Sequence, residues 1–284
     1  MKLSKIVLLG AAAAAAGGCG KSGDLGVVNP GPMAMVRFIN AVPDTGAVNF
    51  RFVDKLENLP TFLAVPFRGG SGLYQGVQPG SRHIRVFPLD TTIAGASTRI
   101  VDTTTSLDVS RRYTILHAGS ARAPTGDPTA DRLVFIQDTI PTPAGDSIAV
   151  RVIHAAVGTG PVDVYVGATG TNPVTTPVYV FRNVAYLGRT PYVSLPVRRA
   201  GAADSLYTFA VTDAGGTTAL FSSTPNEPGT PASGSVSAQA GVRIRGSVLT
   251  AVVFPGATPG SRAATSSNTT RAVALFLDNI PGLP

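Results

Sequence analysis

Apolar and polar positions alternate in short runs along most of the chain. HIRVF (83–87), RYTILHA (112–118), RLVFIQD (132–138), PVYVFRNV (177–184), LYTFAVTD (206–213), VLTAVVF (248–254) and AVALFLD (272–278) are rich in Val, Phe, Tyr, Ile and Thr. Their rhythm and composition are those of strands. Gly, Pro, Asp or Ser bounds them, as turns require. Beyond the N-terminal leader no stretch has the period of an amphipathic helix. Short strands separated by frequent turns predict an all-β protein made of immunoglobulin-like β-sandwiches.

Two of these patterns repeat. VRFINAVPDTGAVNFRF (36–52) and VRVIHAAVGTGPVDVYV (150–166) share length and rhythm at an offset of 114 residues, Val36 to Val150. VFIQDTIPTP (134–143) matches LFLDNIPGLP (275–284), each a strand followed by an Ile-Pro turn, at an offset of 141. The second copy is then longer by 27 residues, assigned to RRAGAADS (198–205) and STPNEPGTPASGS (223–235). A period above a hundred residues means tandem domains and not a solenoid. The expected domains are 36–143 and 147–284, meeting at TPAGDS (142–147).

Within each opening stretch a symmetric hairpin sets His154 opposite Asp163 and Asn40 opposite Asn49. Alternation would then place Ile153, Ala155, Val162, Val164 and Val166 on one apolar face. The polar residues are expected to be structural cross-strand pairs, with no catalytic role.

The opening stretch VRVIHAAVGTGPVDVYV resembles that of the family catalogued as domain of unknown function 4397, whose copies begin R-V-x-H-A-x-P-x-x-P-x-V-D-V-Y and often occur in tandem. VRFINAVPDTGAVNFRF keeps Pro43 and lacks the His, the Asp and the Tyr. The resemblance implies a sandwich-like β fold and an exported protein. It implies no activity.

The N-terminus changes the picture of location. MKLSK is a charged start, IVLLGAAAAAA an apolar core, and Ala16-Gly17-Gly18-Cys19 a small-residue site before cysteine. Residues 1–18 read as a signal peptide, and the site resembles a lipobox in which Cys19 is acylated. Residues 19–35 would be a tether. Cys19 is the sole cysteine, so the domains must rely on their cores. The lipid on Cys19 would make the membrane a partner, at the outer membrane or cell surface if the host has two membranes.

Charge and chemistry change it little. The net charge is +7, and Arg37, Arg51, Arg68, Arg82, Arg85 and Arg99 stand singly in the sequence, which reads as solvated strand charge and argues against nucleic acid. His83, His117 and His154 lie in separate strands and offer no zinc spacing. Asp44, Asp127 and Asp131 read as turn caps in preference to calcium ligands. No serine stands on an elbow beside His154 and Asp163. No cofactor or metal is expected. Tyr179, Tyr186 and Tyr192 mark the best candidate ligand surface. The leading expectation is a non-catalytic envelope protein with a structural, adhesive or binding role, in contact with an envelope polymer or protein. Small-ligand or polysaccharide binding by the second domain comes next, and a hydrolase third.

Overall fold

Burial along the strands decides the layers. The computed structural model describes residues 31–55, 62–198 and 206–282. Cys19, the leader and nearly all of the expected insertion 198–205 lie outside the described residues. The first half supplies β1 (Ala34–Asn40), β2 (Val48–Phe52), β3 (Phe62–Val65), β4 (Gln75–Val77), β5 (Gly80–Pro88), a short α1 (Ile93–Ser97), β6 (Val101–Leu107), β7 (Arg112–Ala118) and β8 (Arg132–Asp138). The second half supplies β9 (Ser147–His154), β10 (Val162–Ala168), β11 (Tyr179–Val184), β12 (Val193–Pro196), β13 (Tyr207–Asp213), β14 (Ala219–Ser223), β15 (Val248–Phe254) and β16 (Ala272–Leu277).

The two halves have one topology. In the first, β4-β1-β7-β8 form one sheet and β3-β2-β5-β6 another; in the second, β12-β9-β15-β16 and β11-β10-β13-β14 repeat the same orders. β1 runs parallel to β7, and β9 to β15. Val36, Phe38 and Ile115 of the first sheet pack on Val48, Phe50 and Ile84 of the second. Val150, Val152 and Leu249 pack in the same way on Val164, Phe209 and Val211. The protein is all-β, and each half is the two-layer sandwich of an immunoglobulin-like domain.

A third core joins the halves. Ile39, Ala41, Leu116, Ala118 and Ile136 meet Ile153, Ala155, Val252 and Phe254. The sheets containing β1 and β9 are therefore inner layers, covered on both faces, and the sheets containing β2 and β10 are outer layers. That explains the sequence. β7 and β15 are nearly continuous apolar runs because both their faces are buried, whereas β5 and β6 alternate because one of theirs meets water. Met33–Pro284 accordingly form one compact unit.

Three expectations change. First, the opening stretches are not hairpins: β1 and β9 lie in the inner sheets, β2 and β10 in the outer ones. Ile153 and Ala155 pack on the neighbouring half, while Val162, Val164 and Val166 pack inside their own sandwich. Second, β7–β8 pairing sets Thr114 against Ile136, and β15–β16 pairing sets Thr250 against Phe276. The closing strands thus correspond at an offset of 140, Asp138 to Asp278, one less than the string match gives. Third, Arg37 and Arg82 are wholly buried and not solvated. Arg82 lies over the Phe52 ring and pairs with Asp54 at 3.0 Å.

Candidate functional site

The seam between the inner sheets has an apolar end and a charged end. Arg37 precedes Ile39 by two residues on β1, and Arg151 precedes Ile153 by two on β9, so alternation points both guanidiniums into the seam. Thr114 stands on β7 and Asp138 closes β8; in the second half Thr250 stands on β15 and Asp278 directly follows β16. The pairing is reciprocal. Arg37 Nη2 lies 2.6 Å from Asp278 Oδ1, and Arg151 Nη2 lies 2.6 Å from Asp138 Oδ1. Both carboxylates are fully buried. These closest contacts are off the hydrogen-bonding line, and the aligned bonds come from neighbours. Thr114 Oγ1 and the Tyr74 hydroxyl each donate to Asp138 Oδ2 at 2.6 Å. Thr250 Oγ1 and the Tyr192 hydroxyl donate to Asp278 Oδ2 at 2.7 and 2.8 Å. Arg37 Nε donates to Thr114 and Arg151 Nε to Thr250, both at 2.9 Å. The Arg37 guanidinium covers the Tyr74 ring, and that of Arg151 covers Tyr192.

Electrostatics keeps the network charged. Burial alone would lower the Arg37 and Arg151 pKa values, yet the facing carboxylates outweigh it and raise both. Burial pushes the Tyr74 and Tyr192 phenols far above their usual range, so they remain donors. Such a cluster adds little net stability over an apolar one, but removing one member strands a buried charge. It fixes how the halves meet.

A cleft of about 620 Å³ opens beside this end, with Tyr74, Leu73 and Arg112 on one side and Asp278 and Ile280 on the other. At the opposite end the 255–271 segment clasps the first half. Thr258 N–H donates to Pro43 O at 2.9 Å, and Arg68 Nη2 donates to Pro255 O at 2.6 Å and to Thr270 O. Gly46 there has φ +77°, and a side chain on it would meet Arg262 O at 2.9 Å.

The expected polar pairs are not formed, because the chain crosses between sheets between their members. His154 accepts the Ala156 N–H at Nδ1 (3.3 Å) and donates from Nε2 to Gly160 O at 3.0 Å. Asn40 does the same work: its Oδ1 accepts the Val42 N–H at 3.2 Å, and its Nδ2 donates to Gly46 O at 2.9 Å. Asp163 Oδ1 accepts the Asn183 N–H at 2.7 Å, while Oδ2 takes Arg182 Nη1 at 2.8 Å and the Gly215 N–H at 3.1 Å. Asn49 Oδ1 accepts the Ala64 N–H at 2.8 Å. Ala64 and Asn183 both have positive φ, +53° and +50°, at register shifts in their sheets. Each polar residue therefore holds a turn or a bulge. Burial lowers the His154 pKa. For Asp163, burial pulls upward, but the N–H and Arg182 bonds win and lower it.

The three tyrosines do not converge. Tyr179 is part-exposed and packs edge-on against Phe181, Tyr186 packs on His154, and Tyr192 is in the seam. His117 bonds Asp131 at 3.1 Å, apart from His83 and His154. Asp44 caps the 120–122 turn and Asp127 its own turn at Thr129. Tyr74 and the Arg37–Asp278 exchange were not singled out by the sequence. The signal available was an Arg at the same place in both apolar openings.

Fold and seam together define a tandem pair of sandwiches joined by reciprocal ion pairs. Residues 34–165 match the family described as Domain of unknown function (DUF4397). The match takes in the first half and the opening strands of the second. No curated protein matches the sequence. Among solved structures, one described as "a putative adhesin from Bacteroides ovatus" is similar at 8% identity, covering 89% of this chain and 97% of that one, with a TM-score of 0.22. A likeness that shallow carries no argument.

Proposed function

We propose that this protein is a non-catalytic, lipid-anchored module of the cell envelope with a structural, adhesive or binding role. The observation that supports it is where the buried polar groups go. The seam arginines and aspartates bind one another, His154 and Asn40 hold turns, and Asp163 and Asn49 hold bulges. The fold uses its buried chemistry to fix two sandwiches in one relation, which suits a rigid spacer or display platform. The halves are read as domains 36–143 and 147–284 behind a tether. The lipobox-like Ala16-Gly17-Gly18-Cys19 supports anchoring, and Gly20 after the cysteine favours the outer membrane of a two-membrane host.

Two experiments test this reading. Mass spectrometry of the native protein is expected to give a chain beginning at acyl-Cys19; an unmodified N-terminus elsewhere overturns the anchor. The purified mature chain, probed against glycans and cross-linked in envelope extracts, is expected to bind without turnover. Turnover of any substrate overturns the non-catalytic reading. A second reading, small-ligand binding, draws on the cleft beside Tyr74 and Asp278. Protection of Tyr74 from modification by a bound ligand would favour it.

A further inference from the structure

The two outer sheets occupy the same place in the same topology, but their solvent faces differ. On the first half's outer sheet, β2–β5 pairing sets Arg51 directly opposite Arg85, and β5–β6 pairing sets Arg85 opposite Asp102. Like charges facing across strands are unfavourable. The carboxylate of Asp102 is shared among Arg85 Nε at 3.1 Å, Arg99 Nη1 at 2.8 Å and His83 Nε2. Arg51 lies over the Phe87 ring, with its guanidinium carbon 5.5 Å from the centroid. Residues that the sequence scatters over fifty positions thus form one cationic, ring-bearing patch.

The second half is a built-in control. Its register places Tyr165 at the position of Arg51, Ala210 at that of Arg85, Thr208 at that of His83 and Ser222 at that of Asp102. Tyr165 and Ala210 there are buried, with the Arg182 guanidinium over the Tyr165 ring, so the same topology is built without a pair of facing arginines. Arg51 and Arg85 repel each other and bond no buried group, so the patch has no evident folding role.

We infer that the outward face of the β3-β2-β5-β6 sheet, centred on Arg51, Arg85 and Arg99, is a docking surface for an acidic polysaccharide. Charge complementarity is the argument for the anion. Asp102 holds two guanidiniums and an imidazole in place, leaving other N–H groups of both arginines turned to solvent for carboxylates or sulfates. The sheet's outward face is built from side-by-side strands. It offers a flat strip with the Phe87 ring and the exposed Thr104 and Ser106 along β6, suited to an extended chain of sugar rings with repeated charge. The inference deepens the binding role proposed above and moves it to the first half, away from the second-half tyrosines.

The test exchanges the faces. The full chain and an Arg51→Tyr, Arg85→Ala variant, which copies the second half's residues, are titrated with polygalacturonate, neutral dextran, duplex DNA and vesicles of anionic phospholipid. Wild type is expected to bind polygalacturonate and not dextran, with affinity falling as salt rises. The variant should bind about tenfold or more weakly, given two lost charge-assisted contacts, with its melting temperature unchanged or raised. Equal binding by both chains overturns the inference, as does stronger binding to DNA or vesicles than to polygalacturonate. Envelope binding that survives the exchange sinks this surface and leaves the wider binding role standing. If wild type binds none of the four probes, this surface is again ruled out.

Discussion

The inner and outer faces of the two halves teach opposite lessons. Across the seam the halves have kept the same four side chains: Arg37 and Arg151, Thr114 and Thr250, Asp138 and Asp278, Tyr74 and Tyr192. On the outer sheets they have parted, Arg51 against Tyr165 and Arg85 against Ala210. Between these extremes are positions that changed type and kept their work, as His154 and Asn40 did. A side chain is held where a buried partner in the other half depends on it, and it differs where its contacts stay within its own sheet.

The sharpest way to break this comparison is at the seam. Asp278→Ala strands the Arg37 guanidinium and should cost about 3–5 kcal/mol, measured by denaturant unfolding. Asp138→Ala strands Arg151 and should cost a comparable amount; a large inequality would show that the two ends of the exchange are not equivalent. Replacing Arg37 with Met and Asp278 with Leu together should be far milder than either loss alone.

Bulges come next. Asp163→Ala leaves the Asn183 and Gly215 N–H groups short of their acceptor and should cost about 1–3 kcal/mol. Asn49→Ala loses the one bond to Ala64 and should cost less. The Asp163 pKa is lowered from its ordinary 3.8. Its contribution is therefore present above that value and is lost as pH falls through the lowered one. Acid-unfolding curves of Asp163→Asn and wild type should converge only in that acid range.

Smaller still is His154→Asn, which copies the first half. It preserves an acceptor and a donor and should cost less than about 1 kcal/mol at neutral pH. Because burial lowers the His154 pKa from 6.5, its contribution is full above that value and declines as pH falls toward the lowered one. The variant should lose that slope, and an unchanged slope would place the titration elsewhere. The smallest expected effect is a coupling near zero. His154 and Asp163 serve different backbone groups, so single losses on stability should add within about 0.5 kcal/mol.

Much of the fold was legible because period and turn chemistry are local. The strands, the repeat and the sandwich class could all be read from alternating runs between Gly and Pro. Which sheet a strand joins is not local, and that is where the reading failed. An apolar run with a short turn looks like a hairpin whether or not the chain crosses to another layer, so His154 was set against Asp163. The closing strands were matched one residue out of step, which aligned Gln137 with Asp278 and hid the repeated aspartate. Arg37 looked solvated because a single charge in a strand normally is. Only the second copy, with Arg151 in the same place, carried the hint that both faces of that strand are buried. Tyr192 stands apart from Tyr179 and Tyr186: it is half-buried and donates to Asp278 in the seam.

The reciprocal seam has a genealogical consequence. Since each half bears both the arginine and the aspartate that the other requires, the inner face of either half is complementary to a copy of itself. That is the defining property of a two-fold, isologous contact. The fused chain holds in one polypeptide the geometry of a symmetric pair. A change at Arg37 is felt at Asp278, in the other half, so at this surface the two halves act as one unit.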